Sequence, residues 1–255
     1  MRRLEGKNVI ITGGAQGMGL VFSDALASEG ATVFILDIST NTAAVEKLID
    51  KYGKHRIFVY QCDVSLENQV KETIEKILNY SNLIHILINN AAIFSVLKPT
   101  EPWDIETELW DKVMAVNVRG PFLMVKYISP HMIKQKYGKI INISSGTAYR
   151  GIPKMLHYVS SKGAMLGFSR ALSRDLGKYG ICVNTLVPGL VLSDTLMANN
   201  PEHVAHMRDA VLSTRSIKRD EKPDDLIGGL IFLASKESDF VTGQSLSVCG
   251  GTLSL

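Results

Sequence analysis

Short apolar runs alternate with longer stretches of mixed apolar and polar residues along the whole chain. The apolar runs fall at about 8–12, 32–37, 57–61, 84–88, 138–144, 181–187 and 245–248. They are rich in Val and Ile and apolar on both faces, as strands buried inside a parallel sheet must be. Between them, helical stretches are predicted at about 17–29, 42–52, 66–79, 107–133, 157–179 and 223–235. This alternation predicts an α/β fold, a doubly wound parallel sheet with right-handed crossovers. No repeat, low-complexity tract or linker interrupts it, so residues 1–255 are expected to form a single domain. The rhythm breaks only at 190–220, where a polar, Asn- and Pro-containing stretch precedes a helix at 202–213. Ligands of such sheets bind beyond the carboxyl ends of the strands, and an insertion there predicts a substrate lid.

The first strand runs into a glycine-rich turn at Gly13, Gly17 and Gly19, followed by a helix and a second strand that ends at Asp37. Glycines at such a turn let backbone N–H groups approach a pyrophosphate at the positive end of the helix. The spacing is G-x-x-x-G-x-G. Asp37, eighteen residues beyond Gly19, stands about where a carboxylate meets an adenosine ribose in βαβ units. It would accept hydrogen bonds from the ribose hydroxyls and repel a 2′-phosphate. No Arg or Lys lies between Gly13 and Gly19, and Ile38-Ser39 follow Asp37. The expected cofactor is NAD.

Tyr158 and Lys162 are four apart in a predicted helix and therefore share a face, thirteen and seventeen positions after Ser145. Free Tyr titrates near ~10. An ammonium close by favours the phenolate, so the pair reads as a tuned acid/base, with Ser145 as a hydroxyl for a substrate oxygen.

Thr12-Gly13-x-x-x-Gly17-x-Gly19, Asn89-Asn90-Ala91-Ala92, Asn117, Ser145, Tyr158, Lys162 and Pro188-Gly189 occur in the order found in the classical short-chain dehydrogenases/reductases. The resemblance covers essentially the whole chain. It implies a Rossmann-type sheet of seven parallel strands, hydride transfer to or from nicotinamide, and usually a homotetramer. Carried over by position, Ser145 holds the substrate oxygen, Tyr158 exchanges its proton, Lys162 binds the nicotinamide ribose and lowers the Tyr pKa, and Asn117 holds a water in a proton relay. Gly13, Gln16, Met18 and Gly19 fall in the phosphate turn. Asp63 and Val64 resemble the adenine contact, Asn90 and Ala91 the turn beside the adenosine ribose, and Val191 a backbone contact to the carboxamide. Ser193 stands where many relatives have Thr. Cys249 stands where relatives commonly have Asp, which is expected to be a structural or subunit-contact position.

The implied reaction interconverts a secondary alcohol and a ketone on an aromatic, cyclic or similar small molecule. A loose likeness within the family points to dehydrogenases of aryl carbinols, cyclic alcohols and pyridoxal-like rings. Phe94, Tyr149, Arg150, Ile152, Met155 and Leu192 are the substrate-pocket candidates, a mainly apolar set. Arg150 either meets an anionic group or points into solvent. A carrier-protein 3-oxoacyl reductase and a sugar or polyol dehydrogenase are the alternatives; the former usually prefers NADP, which Asp37 disfavours. A catalytically silent dinucleotide-binding regulator would typically lack the Tyr or Lys.

The net charge of +3 is spread along the chain, without a basic block that would suggest nucleic acid. The three cysteines are dispersed, with no C-x-x-C, which speaks against zinc or a disulfide scaffold. His203 and His206 are three apart and in principle share a metal, but the Tyr/Lys chemistry needs none. No run reaches membrane-span length, and no apolar leader follows Arg2-Arg3. The expectation is a cytoplasmic protein with reduced thiols and no membrane partner.

Overall fold

The computed structural model describes residues 2–40 and 42–253. The side chains of His203 and His206, raised above as a metal pair, lie outside the described residues. Seven strands form one parallel sheet: β1 Asn8–Thr12, β2 Thr32–Asp37, β3 Ile57–Gln61, β4 Ile86–Asn89, β5 Gly138–Ile143, β6 Ile181–Pro188 and β7 Ser245–Val248. Their order is β3-β2-β1-β4-β5-β6-β7, and every pairing is parallel. The helices are α1 Gly17–Ser28, α2 Ala43–Tyr52, α3 Glu67–Tyr80, α4 Thr107–Met114, α5 Gly120–Gln135, α6 Thr147–Arg150, α7 Leu156–Leu176, α8 Asp194–Asn199, α9 Pro201–Thr214 and α10 Ile227–Ala234.

Successive side chains of a strand point to opposite faces, and the core divides accordingly. Val9, Ile11, Val33, Ile35, Ile86, Ile88 and Ile141 enter one apolar cluster, with α1 and α10. Ile10, Phe34, Leu36, Leu87 and Ile140 enter the other, with α3 and α5. Burial on both faces is why these strands read as continuous apolar runs rather than alternating ones.

The structure corrects several boundaries. The helix expected over 107–133 is three pieces: α4, a π turn at Ala115–Arg119, and α5. Pro121 has no N–H to offer the carbonyl four residues back, that of Asn117, so the α ladder cannot close there. The chain takes a wider turn, with Gly120 N bonded back to Ala115 O. The stretch expected as helix at 157–179 is α7 followed by a 3-10 turn at Gly177–Tyr179, and a 3-10 turn at Pro223–Leu226 precedes α10. β4 begins two residues later than expected, where Val9 pairs with Ile86. The lid holds two helices rather than one. The Ser193 hydroxyl caps α8 through Leu196 N, and Pro201 occupies the first turn of α9.

Candidate functional site

The carboxyl ends of β1, β2, β4, β5 and β6 open into one cleft of about 560 Å³, a size usual for small-molecule sites. Along one end run Gly13, Gln16, Gly17, Met18 and Gly19, then Asp37, Asp63, Val64, Asn90 and Ala91. Along the other lie Ser145, Tyr158, Lys162, Pro188, Gly189, Val191 and Ser193. The cleft thus gathers every position expected to bind cofactor.

The glycine turn leaves no room for side chains. Gly13 has φ +61°, and a Cβ there would stand 2.9 Å from Ala91 Cα; a side chain at Gly19 would collide with the Gly13 carbonyl. The turn is tied to β4 through Thr12, whose hydroxyl accepts from Asn90 N and Ala91 N, each at 3.1 Å. Asn90 Nδ2 donates to Thr12 O and Gly13 O at 3.0 and 2.9 Å. Asn90 Oδ1 is buried without a partner among the described residues. An open, glycine-lined turn at the start of α1 and a buried acceptor beside it fit a dinucleotide.

Asp37 is 3% exposed and already engaged. Its Oδ2 accepts from Ala15 N at 3.0 Å and its Oδ1 from Ser39 N at 3.2 Å. A carboxylate offers about four acceptor sites, so each oxygen keeps capacity for a ligand hydroxyl. Asp37 therefore has a second task the spacing did not reveal: it fixes the glycine turn. The cations lining the cleft are Lys112 and Lys162; Asp37 and its neighbours Leu36, Ile38, Cys62 and Asp63 include none.

At the inner end, Ser145 Oγ accepts from Thr147 Oγ1 at 3.0 Å and from Thr147 N at 3.3 Å. Tyr158 and Lys162 share one face of α7 and are 6% and 4% exposed. Lys162 Nζ donates to Ile143 O at 2.8 Å and stands 5.8 Å from the Tyr158 ring centroid. Asn117 Oδ1 accepts from Ile93 N at 2.8 Å, while its Nδ2 donates to Ser161 Oγ at 3.0 Å and to Ile93 O at 3.3 Å. The Asn117 side chain thus ties α7 to the segment after β4.

In the protein's own surroundings, burial governs both members of the Tyr/Lys pair. Burial pushes the phenol up to about 12, with Ser145 pulling the other way. Burial also pushes Lys162 down to about 8. Both groups lose water, and each is driven toward its neutral form.

Beside Ser145 and Tyr158 a second, smaller cavity of about 50 Å³ is bounded by Phe94, Arg150, Ile152, Leu190, Met207 and Val211, with Cys249 and Leu253 closing its far side. Phe94, Arg150 and Ile152 stand where substrate was expected. Tyr149, Met155 and Leu192 line neither cavity. Met155 is 1% exposed and packs in an apolar cluster with Leu97, Val113 and Tyr158. Leu192 is held by its backbone to Glu221, and the Tyr149 hydroxyl is buried with no partner among the described residues. Cys249 borders this cavity. Its Sγ accepts from Ser247 Oγ at 3.2 Å and Leu253 N at 3.3 Å. Burial raises the thiol, but Ser247 and the N–H groups of Leu253, Thr252 and Gly251 carry it below its ordinary value.

Sequence reading missed Thr147, Ser161, Thr195, Met207 and Val211. Met207 and Val211 are an i, i+4 apolar pair, a signal that was available. Nothing in the sequence marks Thr195, which packs against Gly17. No group of three or more His, Cys, Asp or Glu able to hold a metal occurs among the described residues, and none of their helices is long and apolar enough to cross a membrane.

The sequence profile of a family described as enoyl-(acyl carrier protein) reductase matches residues 13–252. The chain belongs to the short-chain dehydrogenase/reductase family. Within it, the chain is 35% identical over 251 residues to 3-oxoacyl-(acyl-carrier-protein) reductase FabG of Thermotoga maritima, covering 98% of each. It is also 35% identical over 253 residues to cyclopentanol dehydrogenase of a Comamonas species, again covering 98% of each. A crystal structure described as a short-chain dehydrogenase/reductase, glucose/ribitol dehydrogenase from Brucella melitensis, superposes with a TM-score of 0.87 over 99% of both chains at 24% identity. That likeness supports the fold. As a short-chain dehydrogenase/reductase the chain is an oxidoreductase.

Proposed function

We propose that this enzyme is an NAD-dependent dehydrogenase that interconverts a secondary alcohol and a ketone on a cyclic, aromatic or similar small molecule. The observation that carries the reading is the convergence of Ser145, Tyr158 and Lys162 at the inner end of a cleft whose outer end presents the Asp37 carboxylate. The glycine turn, Asp37, Asp63-Val64, Asn90-Ala91, Lys162 and the main chain at Pro188-Gly189 and Val191 would hold the dinucleotide. Ser193, engaged in capping α8, would add its hydroxyl. When bound, NAD supplies the acceptor or donor of hydride.

The chain's own residues handle the oxygen and its proton. Thr147 donates to Ser145 Oγ through both its hydroxyl and its N–H, which leaves the Ser145 proton for a substrate oxygen. Tyr158 gives or takes the proton on that oxygen. Lys162, anchored on the Ile143 carbonyl, holds positive charge beside the phenol. A relay water near Asn117 would use the main chain of the π turn, because the side chain is engaged by Ile93 and Ser161. A base that starts near 12 works better as pH rises, so alcohol oxidation should gain with pH.

Phe94, Ile152, Leu190, Met207 and Val211 give the small cavity an apolar wall, which favours a compact ring or alkyl group. The likeness to a cyclopentanol dehydrogenase agrees with this. The second reading is a carrier-protein 3-oxoacyl reductase, favoured by the 35% identity to such an enzyme; the carboxylate at Asp37 weighs against its usual cofactor. A homotetrameric, cytoplasmic protein completes the proposal. The test is NADH formation across a panel of secondary alcohols, sugars and 3-hydroxyacyl thioesters, with Y158F as control. Turnover confined to 3-hydroxyacyl thioesters with NADP would replace the first reading by the second.

A further inference from the structure

The roof of the site is fastened by a buried ion pair that the chemistry above does not use. Arg215 and Glu221 are 2% and 4% exposed, and their side chains meet at 3.1 Å. Glu221 reaches the reacting end of the cleft directly: its Oε1 accepts from Gly189 N at 3.2 Å. A Cβ on Gly189 would stand only 2.5 Å from Glu221 Oε2. The main chain of Glu221 forms a short parallel bridge with Val191 and accepts from Leu192 N at 2.8 Å. Arg215, at the far end of α9, donates from Nη1 to Arg219 O at 2.8 Å, from Nη2 to Leu190 O at 3.5 Å and from Nε to Thr252 Oγ1 at 3.4 Å. Its stem lies against Gly250, where a Cβ would come within 2.8 Å of Arg215 Cδ. Two side chains thus join three segments: the turn after β6, the lid, and the turn after β7.

We propose that Arg215 and Glu221 are a positioning pair for the reaction: joined to each other, they hold the Gly189 main chain and the lid over Ser145 and Tyr158. The proposal rests on the function above only in taking those two residues as the reacting ones.

The neighbouring charges are engaged elsewhere, Asp220 by Arg208 at 2.7 Å and Asp225 by Arg219 at 2.6 Å, so Arg215 and Glu221 compensate each other. Removing either partner leaves the other buried and unpaired.

Hydrogen exchange on the full-length protein tests this without a substrate. Protection factors are read for the amides of Gly189, Leu192 and Ile217 and for those of β5 as a control. Glu221→Gln keeps an acceptor for Gly189 but leaves Arg215 buried without a counter-charge, and Arg215→Met does the same to Glu221; each should lower lid protection roughly 10- to 100-fold, the size expected for losing hydrogen bonds to a charged group, while β5 stays level. The double variant Arg215→Met/Glu221→Gln leaves no unpaired charge and should recover part of that protection. A normal lid in either single variant, or losses that simply add in the double variant, would overturn the proposal. With any alcohol the enzyme oxidises, each single variant should raise KM more than it lowers kcat, and a kcat loss with KM unchanged would overturn the positioning role. Absence of turnover on every alcohol would sink the proposed function while the exchange data still decide the role of the pair.

Discussion

The ring of Phe94 rests on the ring of Tyr158, with centroids 4.5 Å apart and planes inclined by 33°. Phe94 comes from the segment after β4 and Tyr158 from α7, so the contact joins the two halves of the cleft. It also keeps water off the phenol, and burial is what raises that group. Tyr158→Phe should lower kcat by at least the ~10²–10⁴-fold typical of lost general acid/base catalysis, with NADH binding by fluorescence retained. Phe94→Ala should admit water and move the rise of the oxidation rate to lower pH, whereas Phe94→Leu should leave it in place. Near-normal turnover by Tyr158→Phe would remove Tyr158 from the mechanism.

Thr147 offers a finer test of the same site. Its hydroxyl donates to Ser145 Oγ and touches no other partner among the described residues. Thr147→Val keeps the shape and removes that donor. A neutral hydrogen bond contributes ~0.5–1.5 kcal/mol, so kcat/KM should fall ~2- to 15-fold. Ser145→Ala should cost far more, because the substrate oxygen loses its anchor. Equal losses in the two variants would mean that Thr147 does more than orient Ser145.

Cofactor choice turns on Asp37. A hydrogen bond to a charged group contributes ~1.5–3 kcal/mol, or roughly 10–150-fold in affinity, and NADP would bring a phosphate against the carboxylate. Wild type should favour NAD by at least ~100-fold in kcat/KM, on that contact and the repulsion together. Asp37→Asn is the informative variant, because its amide oxygen can still receive Ala15 N. Asp37→Ala would strand that buried N–H and loosen the glycine turn as well. Asp37→Asn should narrow the preference mainly by weakening NAD, and adding Arg at Ile38 should begin to favour NADP, since a guanidinium pairs bidentately with phosphate. Comparable use of both cofactors by the wild type would contradict this reading.

Prolonged treatment with EDTA should leave activity intact, because the proton chemistry proposed for Tyr158 and Lys162 needs no zinc. Loss of activity restored by zinc would contradict the mechanism; restoration by magnesium alone would indicate a structural ion.

The fold and the cofactor cleft were legible because each rests on local chemistry. Continuous apolar runs mark doubly buried strands, and the glycines and Asp37 sit at fixed offsets from strand ends. The interior of the site was less legible, because it depends on what distant segments bring to it. Ser145, Tyr158 and Lys162 were visible from spacing, but the burial of Tyr158 and Lys162 was not, since burial is a property of the assembled cleft. The Asn117 side chain turns to Ile93, a partner 24 positions away that no spacing marks. Tyr149, Met155 and Leu192 were chosen for closeness in sequence to functional positions. Met207 and Val211, which do line the small cavity, come from a helix some fifty residues beyond Tyr158.

The π turn at Ala115–Arg119 has a consequence for how this protein can change. A π turn is an α-helix carrying one surplus residue. Removing a residue there would let α4 and α5 run on as one regular helix, apart from the gap that Pro121 imposes. It would also rotate everything before the deletion by about a third of a turn, roughly the ~100° that one residue spans at 3.6 per turn, and draw the Asn117 amide away from Ser161 and Ile93. Regularity of this helix and seating of α7 are therefore opposed, and shortening the segment should yield a sturdier scaffold and a poorer enzyme.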